Sequence, residues 1–151
     1  MPSAELAKFA DKLSELMPFI TKQFICRERK MLKPGVVTHV QLWVIHFLEQ
    51  SGRARMTDLA DFLGISTATA TGIIDRLVKY KYAKRFFDEK DRRAIVIALT
   101  PKGVAFQRSI MKKKKKVIME IFGNLSAKDR TDYVRILSSL KKLLVDNTTH
   151  K

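Results

Sequence analysis

The chain has 151 residues, a length that suits one compact domain with a substantial hydrophobic core. It carries 30 Lys and Arg against 15 Asp and Glu, and this net charge of +15 favours a polyanionic partner, of which duplex nucleic acid is the commonest. The sequence lacks both a continuous apolar stretch of about 18 residues and a signal-peptide pattern at its start, so we expect no association with a membrane.

The first part of the chain is predicted to form two helices. Over residues 3–31 apolar side chains recur at spacings of three and four, which is typical of an amphipathic helix, and Pro18 could kink or split it. A second helix is predicted from Thr38, ending at Ser51-Gly52.

The central part has the pattern of a helix-turn-helix. A small strand is predicted within residues 53–56, and Thr57 is predicted to cap a short helix that ends at Gly64. Ser66 then caps a second helix, from Thr67 to about Lys79. Two short helices joined by a turn that contains glycine form a helix-turn-helix.

A charged hairpin follows this motif. Tyr82–Phe87 and Ala94–Leu99 have the composition of strands, and the residues between them are polar and charged. A basic hairpin beside a helix-turn-helix is typical of DNA-binding proteins, so this arrangement indicates a nucleic-acid interface.

Two further helices are predicted at the C-terminal end. Thr100 and Pro101 form a start signal for a helix that reaches about Phe122, and Ser126 caps a last helix that extends to about residue 145. The tail after Asp146 is expected to be loose. Both helices, like the first helix of the chain, carry long apolar stripes that require a partner surface.

Several short motifs between Val40 and Gly103 occur together and in one order. They are Leu59-Ala60, Leu63-Gly64-Ile65-Ser66, Ile74-Asp75-Arg76-Leu77, Arg85, and the spaced set Asp91, Arg93, Leu99, Thr100 and Gly103. In this order and spacing they resemble the MarR family of winged helix-turn-helix transcription regulators. The flanking helices are compatible in length and position but carry no motif of their own.

The resemblance implies a mainly α fold: a winged helix-turn-helix whose N- and C-terminal helices form a dimerisation domain. On this reading residues 1–35 form an N-terminal dimerisation helix, residues 36–100 a DNA-binding domain, and residues 101–151 the C-terminal dimerisation helices. Two such chains would form a homodimer that places two reading helices in adjacent major grooves of double-stranded DNA.

The second helix of the helix-turn-helix and the hairpin supply the candidate DNA-contacting residues. These residues are Ser66, Thr67, Ala68, Thr69, Thr71, Gly72, Arg76, Arg85, Lys90, Arg92 and Arg93. Short hydroxyl side chains suit phosphate and base-edge hydrogen bonds, and a guanidinium suits a narrow minor groove. The resemblance implies that Arg93 enters that groove or holds its phosphates, and that Asp91 pairs with an arginine to orient it.

A pocket for a small phenolic or aromatic effector is a second candidate site. Its lining residues would be Phe19, Phe24, His39, Trp43 and Phe47, with ordinary core packing as the alternative interpretation. No cofactor is predicted, and no metal site, because no pair of histidines stands at helical spacing beside Cys26, Glu28 and His39.

Together these observations predict a dimeric repressor, not an enzyme, that binds a pseudo-palindromic operator and is released by an effector. The single cysteine, Cys26, fits a cytoplasmic location. Three alternatives stay open: a basic architectural protein that coats DNA without sequence preference, a redox sensor that uses Cys26 beside three basic neighbours, and a protein-binding module.

Overall fold

The computed structural model describes residues 3–32, 35 and 37–148. In chain order the elements are α1 (Ala4–Met31), α2 (His39–Ser51), β1 (Ala54–Arg55), α3 (Met56–Leu63), α4 (Thr67–Lys79), β2 (Ala83–Phe87), β3 (Ile95–Leu99), α5 (Pro101–Phe122) and α6 (Ala127–Thr148). The chain divides into two compact units, one that ends at Lys113 and one that begins at Lys114. The mainly helical fold class predicted from the sequence is confirmed.

Helix α1 is continuous over its 28 residues, with Pro18 inside it. Its Ser3 cap accepts a hydrogen bond from the Leu6 N–H at 3.2 Å. Nearly all of its length is exposed, and its buried residue is Glu28, whose Oε2 lies 2.5 Å from Nδ1 of His39 at the start of α2. This contact ties the end of α1 to the core.

Helix α2 provides the centre of the core. Thr38 and Gln41 form a reciprocal cap at its start, with Gln41 Oε1 accepting from the Thr38 N–H at 2.8 Å. Val44, Ile45 and Leu48 are at most 1% exposed, and they pack with buried residues of α3, α4 and the sheet.

Helix α3 begins two residues earlier than the sequence suggested. Its cap is Arg55 and its first residue is Met56, so the prediction of Thr57 as the cap is wrong. The reason is that the Asp58 carboxylate accepts from the Arg55 N–H at 2.9 Å and so starts the helix from within its first turn. Gly64 ends α3 in the left-handed conformation, as the turn requires.

A three-stranded antiparallel sheet completes this unit, in the order β1-β3-β2. Ala83 pairs with Leu99 at the inner end of the hairpin and Phe87 with Ile95 at its outer end, while β1 pairs Ala54 with Ile97. The two long strands and their connecting loop form the wing beside α4.

The second unit contains the end of α5 and all of α6. Ser126 caps α6 by accepting from the Asp129 N–H at 3.1 Å, as predicted. The expectation of a loose tail after Asp146 is wrong for residues up to Thr148, because no glycine or proline stops the helix there. Residues 149–151 lie outside the described part of the chain. Among the helices of the described residues, none is long and apolar enough to cross a membrane.

Candidate nucleic-acid interface

Helix α4 has one buried face and one open face. Ala70, Ile74 and Leu77 are at most 1% exposed and hold the helix on the core. The other face carries the predicted contact residues: Ser66, Thr67, Ala68, Thr69, Gly72 and Arg76 are exposed, and Thr71 is half-buried at its edge. The structure therefore brings these seven residues together on one accessible surface.

The hydroxyl groups of this face differ in what they can still donate. Ser66 accepts from the Thr69 N–H at 3.2 Å, and the two hydroxyl oxygens lie 2.9 Å apart, so one of them donates to the other. The Thr71 hydroxyl donates to the Thr67 carbonyl at 2.8 Å. Direct donation to a phosphate is thus easiest for Thr67 and for the remaining hydroxyl of the Ser66–Thr69 pair.

The loop of the wing directs its acidic side chains onto its own backbone. Asp88 Oδ1 accepts from the Lys90 N–H at 2.8 Å, and Asp91 Oδ1 accepts from the Arg93 N–H at 3.1 Å. These turns order the loop, while the side chains of Lys90, Arg92 and Arg93 are exposed. The loop therefore presents its cations to the outside.

Asp88 also connects the wing loop to β1. Its Oδ2 lies 3.6 Å from Nη2 of Arg55. The hydrogen bond from the Lys90 N–H lowers the pKa of Asp88, and the positive charges of Arg55 and Arg53 add to this shift. The carboxylate is therefore ionised at neutral pH and can hold both the loop and Arg55.

The contact of Asp91 differs from the one that the resemblance implied. Its carboxylate binds the backbone N–H of Arg93 and its carbonyl accepts from the Ala94 N–H at 2.9 Å. The expected partner was an arginine side chain. A carboxylate two residues before an N–H closes a local turn readily, so Asp91 orients the loop through its backbone.

Arg85 has an acidic partner on the reading helix. Its Nη2 donates to Oδ1 of Asp75 at 2.5 Å, and the Arg85 side chain is 30% exposed. The sequence had grouped Arg85 with the DNA-contacting residues, whereas this ion pair makes it a brace between the wing and α4. The sequence shows both charged residues, but their pairing can be predicted only when β2 is known to lie beside α4.

A dense set of contacts joins the end of α4, the start of the wing and the start of α5. We call this the wing junction, formed by residues 80–82 and 100–103. The Thr100 hydroxyl donates to the Lys81 carbonyl at 2.6 Å and accepts from the Gly103 N–H at 3.1 Å, while Lys102 Nζ donates to the Tyr80 carbonyl at 2.8 Å. Lys102 also lies 4.7 Å from the centroid of the Tyr82 ring. Sequence reasoning identified Thr100 and Gly103 but not Lys102.

The predicted effector residues make separate contacts in the described chain. His39 and Trp43 meet edge to face with ring centroids 5.2 Å apart, whereas Phe47 stacks on Phe62 of α3 at 4.5 Å. Phe19 is 64% exposed and Phe24 is half-buried, both on α1. Packing of Phe47 in the core follows the alternative interpretation given above.

A small cavity lies beside the wing junction. Its volume is about 250 Å³, and its lining residues come from the end of α1, the segment before α2, the wing junction and α5. They are Met31, Leu32, Val37, Tyr82, Phe106, Ser109, Ile110 and Lys113. Lys113 Nζ donates to the Met31 carbonyl at 3.3 Å, so the apolar cavity has one ammonium group at its rim.

Two further possibilities from the sequence were a redox-active cysteine and a metal site. Cys26 is exposed on α1, and the guanidinium of Arg27 donates to the side chain and carbonyl of Gln23. Within the described residues, no group of three or more His, Cys, Asp or Glu side chains is placed to hold a metal ion.

Known proteins resemble this chain over the same elements. The MarR family model matches residues 37–95. YfiV of Bacillus subtilis, an uncharacterized HTH-type transcriptional regulator, is 30% identical over 69% of this chain, and the match spans 65% of YfiV.

Solved structures share the whole fold. A MarR family protein from Bacillus stearothermophilus superposes with a TM-score of 0.83 at 19% identity, covering 92% of this chain and 97% of that one. BpsR of Bordetella bronchiseptica, whose DNA binding is regulated by 6-hydroxynicotinic acid, gives 0.69 at 23% identity, with 86% and 98% covered. Members of the family are transcriptional regulators and not enzymes. The motifs, the winged helix-turn-helix built from them and these matches together show that the chain belongs to the MarR family of transcriptional regulators.

Proposed function

We propose that this protein is a homodimeric repressor that binds a pseudo-palindromic operator in double-stranded DNA and is released by a small aromatic effector. The observation that carries the proposal is the joint surface of α4 and the wing. The exposed N-terminal face of α4 and the exposed cations Lys90, Arg92 and Arg93 belong to elements held together by the Asp75–Arg85 ion pair. This arrangement suits simultaneous contact with a major groove and the adjoining minor groove.

The contacts divide into two kinds. The methyl groups of Ala68 and Thr67 suit packing on thymine methyl groups, and Arg76 is the guanidinium of the reading helix. The wing cations bind phosphates or enter the minor groove, which supplies affinity and orientation. Sequence preference therefore depends on few base contacts, and the shape of the minor groove adds to them.

Exposed apolar stripes support the homodimer. On α1, Leu6, Phe9 and Leu13 are 43–59% exposed, and on α6, Leu140 and Leu143 are 47–60% exposed. A long helix gains most of its stability from packing its apolar face. A second copy of the chain, which carries the same stripes, is the simplest partner for them.

The effector site that we propose is the cavity beside the wing junction. Its apolar walls accept an aromatic ring, and Lys113 at its rim can bind a carboxylate or phenolate. Tyr82 belongs to both the cavity and the wing junction. A ligand there would change how the wing is held relative to α5, and so the spacing of the two reading heads. The regulation of BpsR DNA binding by 6-hydroxynicotinic acid supports this part of the proposal.

Competition binding tests this function and separates it from non-specific coating of DNA. A duplex selected by the protein from a random-sequence pool competes with bulk DNA at about 50 mM and about 200 mM salt. A repressor keeps the selected duplex preferred at both concentrations, and 6-hydroxynicotinic acid or a similar hydroxylated aromatic acid lowers that preference. If both DNAs are lost together as salt rises, the protein is an architectural coat and the proposal fails.

A further inference from the structure

Two large apolar side chains stand exposed at the outer end of the wing. Phe87, the last residue of β2, is 66% exposed, and Ile95, the first residue of β3, is 46% exposed. They are directly opposite each other in the antiparallel register. Residues that face each other in such a pair lie on the same side of the sheet, so they form one apolar surface, the apolar wing pair.

The fold of the described chain does not use this surface. Alternate residues of a strand share a face, so Ala83, Arg85 and Phe87 point to the same side of the sheet. Ala83 is 2% exposed in the core, Arg85 contacts Asp75 of α4, and Phe87 lies one step further out. Helix α4 therefore packs on this face of the sheet only as far as Arg85 and leaves Phe87 exposed. The apolar wing pair lies on the same face of the sheet as α4, further towards the tip of the wing.

Charged side chains of both signs border the apolar wing pair, and the exposed cations among them are Lys90, Arg92 and Arg93. Phe87 and Arg92 line the same shallow hollow, together with Asp88 and Glu89. Lys90 and Arg93 extend from the same loop, and the carboxylate of Asp88 is engaged by the Lys90 N–H. A protein partner with an apolar surface would have to desolvate these cations without compensation. A nucleic-acid groove offers phosphates on both sides of less polar sugars and bases, which matches the arrangement.

We propose that Phe87 and Ile95 make an apolar contact with the sugars and base edges of the DNA minor groove while the wing cations bind the flanking phosphates. This inference rests on the proposed DNA-binding function and deepens it. Apolar side chains that enter a minor groove press on base steps and favour sequences that deform easily. The wing of this protein thus selects DNA by groove shape as well as by charge.

Salt dependence distinguishes this contact from a phosphate contact. Phe87→Ser and Ile95→Thr each weaken binding to the selected duplex, by about tenfold for Phe87, because the burial of a large apolar side chain is lost. The slope of log affinity against log salt stays as in the wild type, since a neutral side chain releases no counterion. In Arg92→Ala the slope falls by about one.

The conservative variant Phe87→Leu provides the matched control, because it keeps an apolar side chain and retains most of the affinity. All these positions are exposed, so the midpoints of thermal unfolding should be unchanged. If the variant at position 87 or at position 95 has a lowered midpoint, the variant at the other position is used for the comparison. The inference is overturned if Phe87→Ser and Ile95→Thr both bind the selected duplex with wild-type affinity. It is also overturned if Phe87→Leu loses as much affinity as Phe87→Ser. Reduced self-association with unchanged DNA binding also overturns it and makes the patch a protein contact.

The same series separates this inference from the function on which it rests. If the wild type shows no preferred duplex, or if Arg93→Ala binds as tightly as the wild type, DNA recognition by the wing fails. If Arg93→Ala weakens binding while the position 87 and 95 variants do not, the wing binds DNA through its cations alone. In that case only the apolar contact is refuted.

Discussion

Gly103 lies at a close approach between the start of α5 and the wing junction. A Cβ at this position would lie 2.0 Å from the Tyr82 carbonyl oxygen and 3.3 Å from Cδ2 of Leu99. The first of these neighbours is a backbone atom, and the Thr100 N–H holds it in place by donating to it at 3.0 Å. Gly103 is therefore required by space and not by an unusual backbone conformation, which explains its place in the Leu99-Thr100-x-x-Gly103 motif.

Two helical glycines should respond to alanine in opposite directions. Gly103→Ala lowers the free energy of unfolding by about 1–3 kcal/mol, because the wing junction must open to admit the methyl group. Gly72→Ala, on the open face of α4 where nothing lies within 4 Å of the added atom, raises it by about 0.5–1 kcal/mol. Chemical denaturation of both variants measures the difference, and a stabilised Gly103→Ala would contradict the close approach.

Lys81 shows what local sequence signals do not reveal. It follows Tyr80, the C-cap of α4, and lies in the left-handed region with φ of 62°; its N–H donates to the Val78 carbonyl at 2.9 Å. Glycine is the usual residue at such a position, so a lysine gives no stop signal. The chain reversal there depends on tertiary contacts, namely the Thr100 hydroxyl on the Lys81 carbonyl.

At the scale of elements, α4 and the wing act as one reading head because the Asp75–Arg85 ion pair connects them. Both side chains are partly exposed, at 57% and 30%. An ion pair of this kind contributes at most about 1 kcal/mol to stability. Its larger effect is on orientation, since it fixes the direction of the wing relative to α4, the helix that we propose enters the major groove.

Neutralising Asp75 tests this ion pair, because the change in DNA affinity has opposite signs with and without a structural role for the pair. Removal of a negative charge beside DNA should by charge alone strengthen binding. If the brace matters, Asp75→Asn instead weakens binding to the selected duplex, by about fivefold, equivalent to about 1 kcal/mol. Asp61→Asn, an exposed neutralisation on α3, is the matched control and should bind at least as tightly as the wild type. Tighter binding by Asp75→Asn would contradict the brace.

The sequence predicted the order and type of every element, since each depends on local signals: the Ser66 cap, the Gly64 turn and the Thr100-Pro101 start. It misplaced the start of α3, where a carboxylate inside the helix does the capping. It did not predict the intramolecular partners of Arg85 and Asp91, because a charged side chain binds whichever group the tertiary fold or the local turn brings near. The exposure of Phe87 required knowledge of where α4 ends relative to the sheet.

At the scale of the whole molecule, the two ends of the chain share an unusual property. Each carries a long helix whose apolar residues remain open to solvent in a single chain, such as Leu13 at 43% on α1 and Leu140 at 47% on α6. Scattered exposed apolar residues are normal, but stripes along entire helices mark an interaction surface. The winged helix-turn-helix contains the well-packed core, so the proposed dimer formation and core folding would involve largely different residues.

That separation should allow the proposed dimer to be broken without unfolding the winged helix-turn-helix. Leu140→Glu keeps a good helix former on α6 but places a charge within the apolar stripe, where burial without a partner is costly. We expect its molar mass, measured by light scattering after size exclusion, to fall from that of two chains towards one, while the wild type stays dimeric. Lys141→Glu introduces the same side chain at the next position of α6 and should remain dimeric.

Because a monomer contacts one half-site, Leu140→Glu should also lose most of its affinity for a two-site duplex and keep its affinity for a single half-site. A Leu140→Glu protein that remains dimeric would exclude the α6 stripe from the interface, and a monomeric wild type would refute the proposed homodimer.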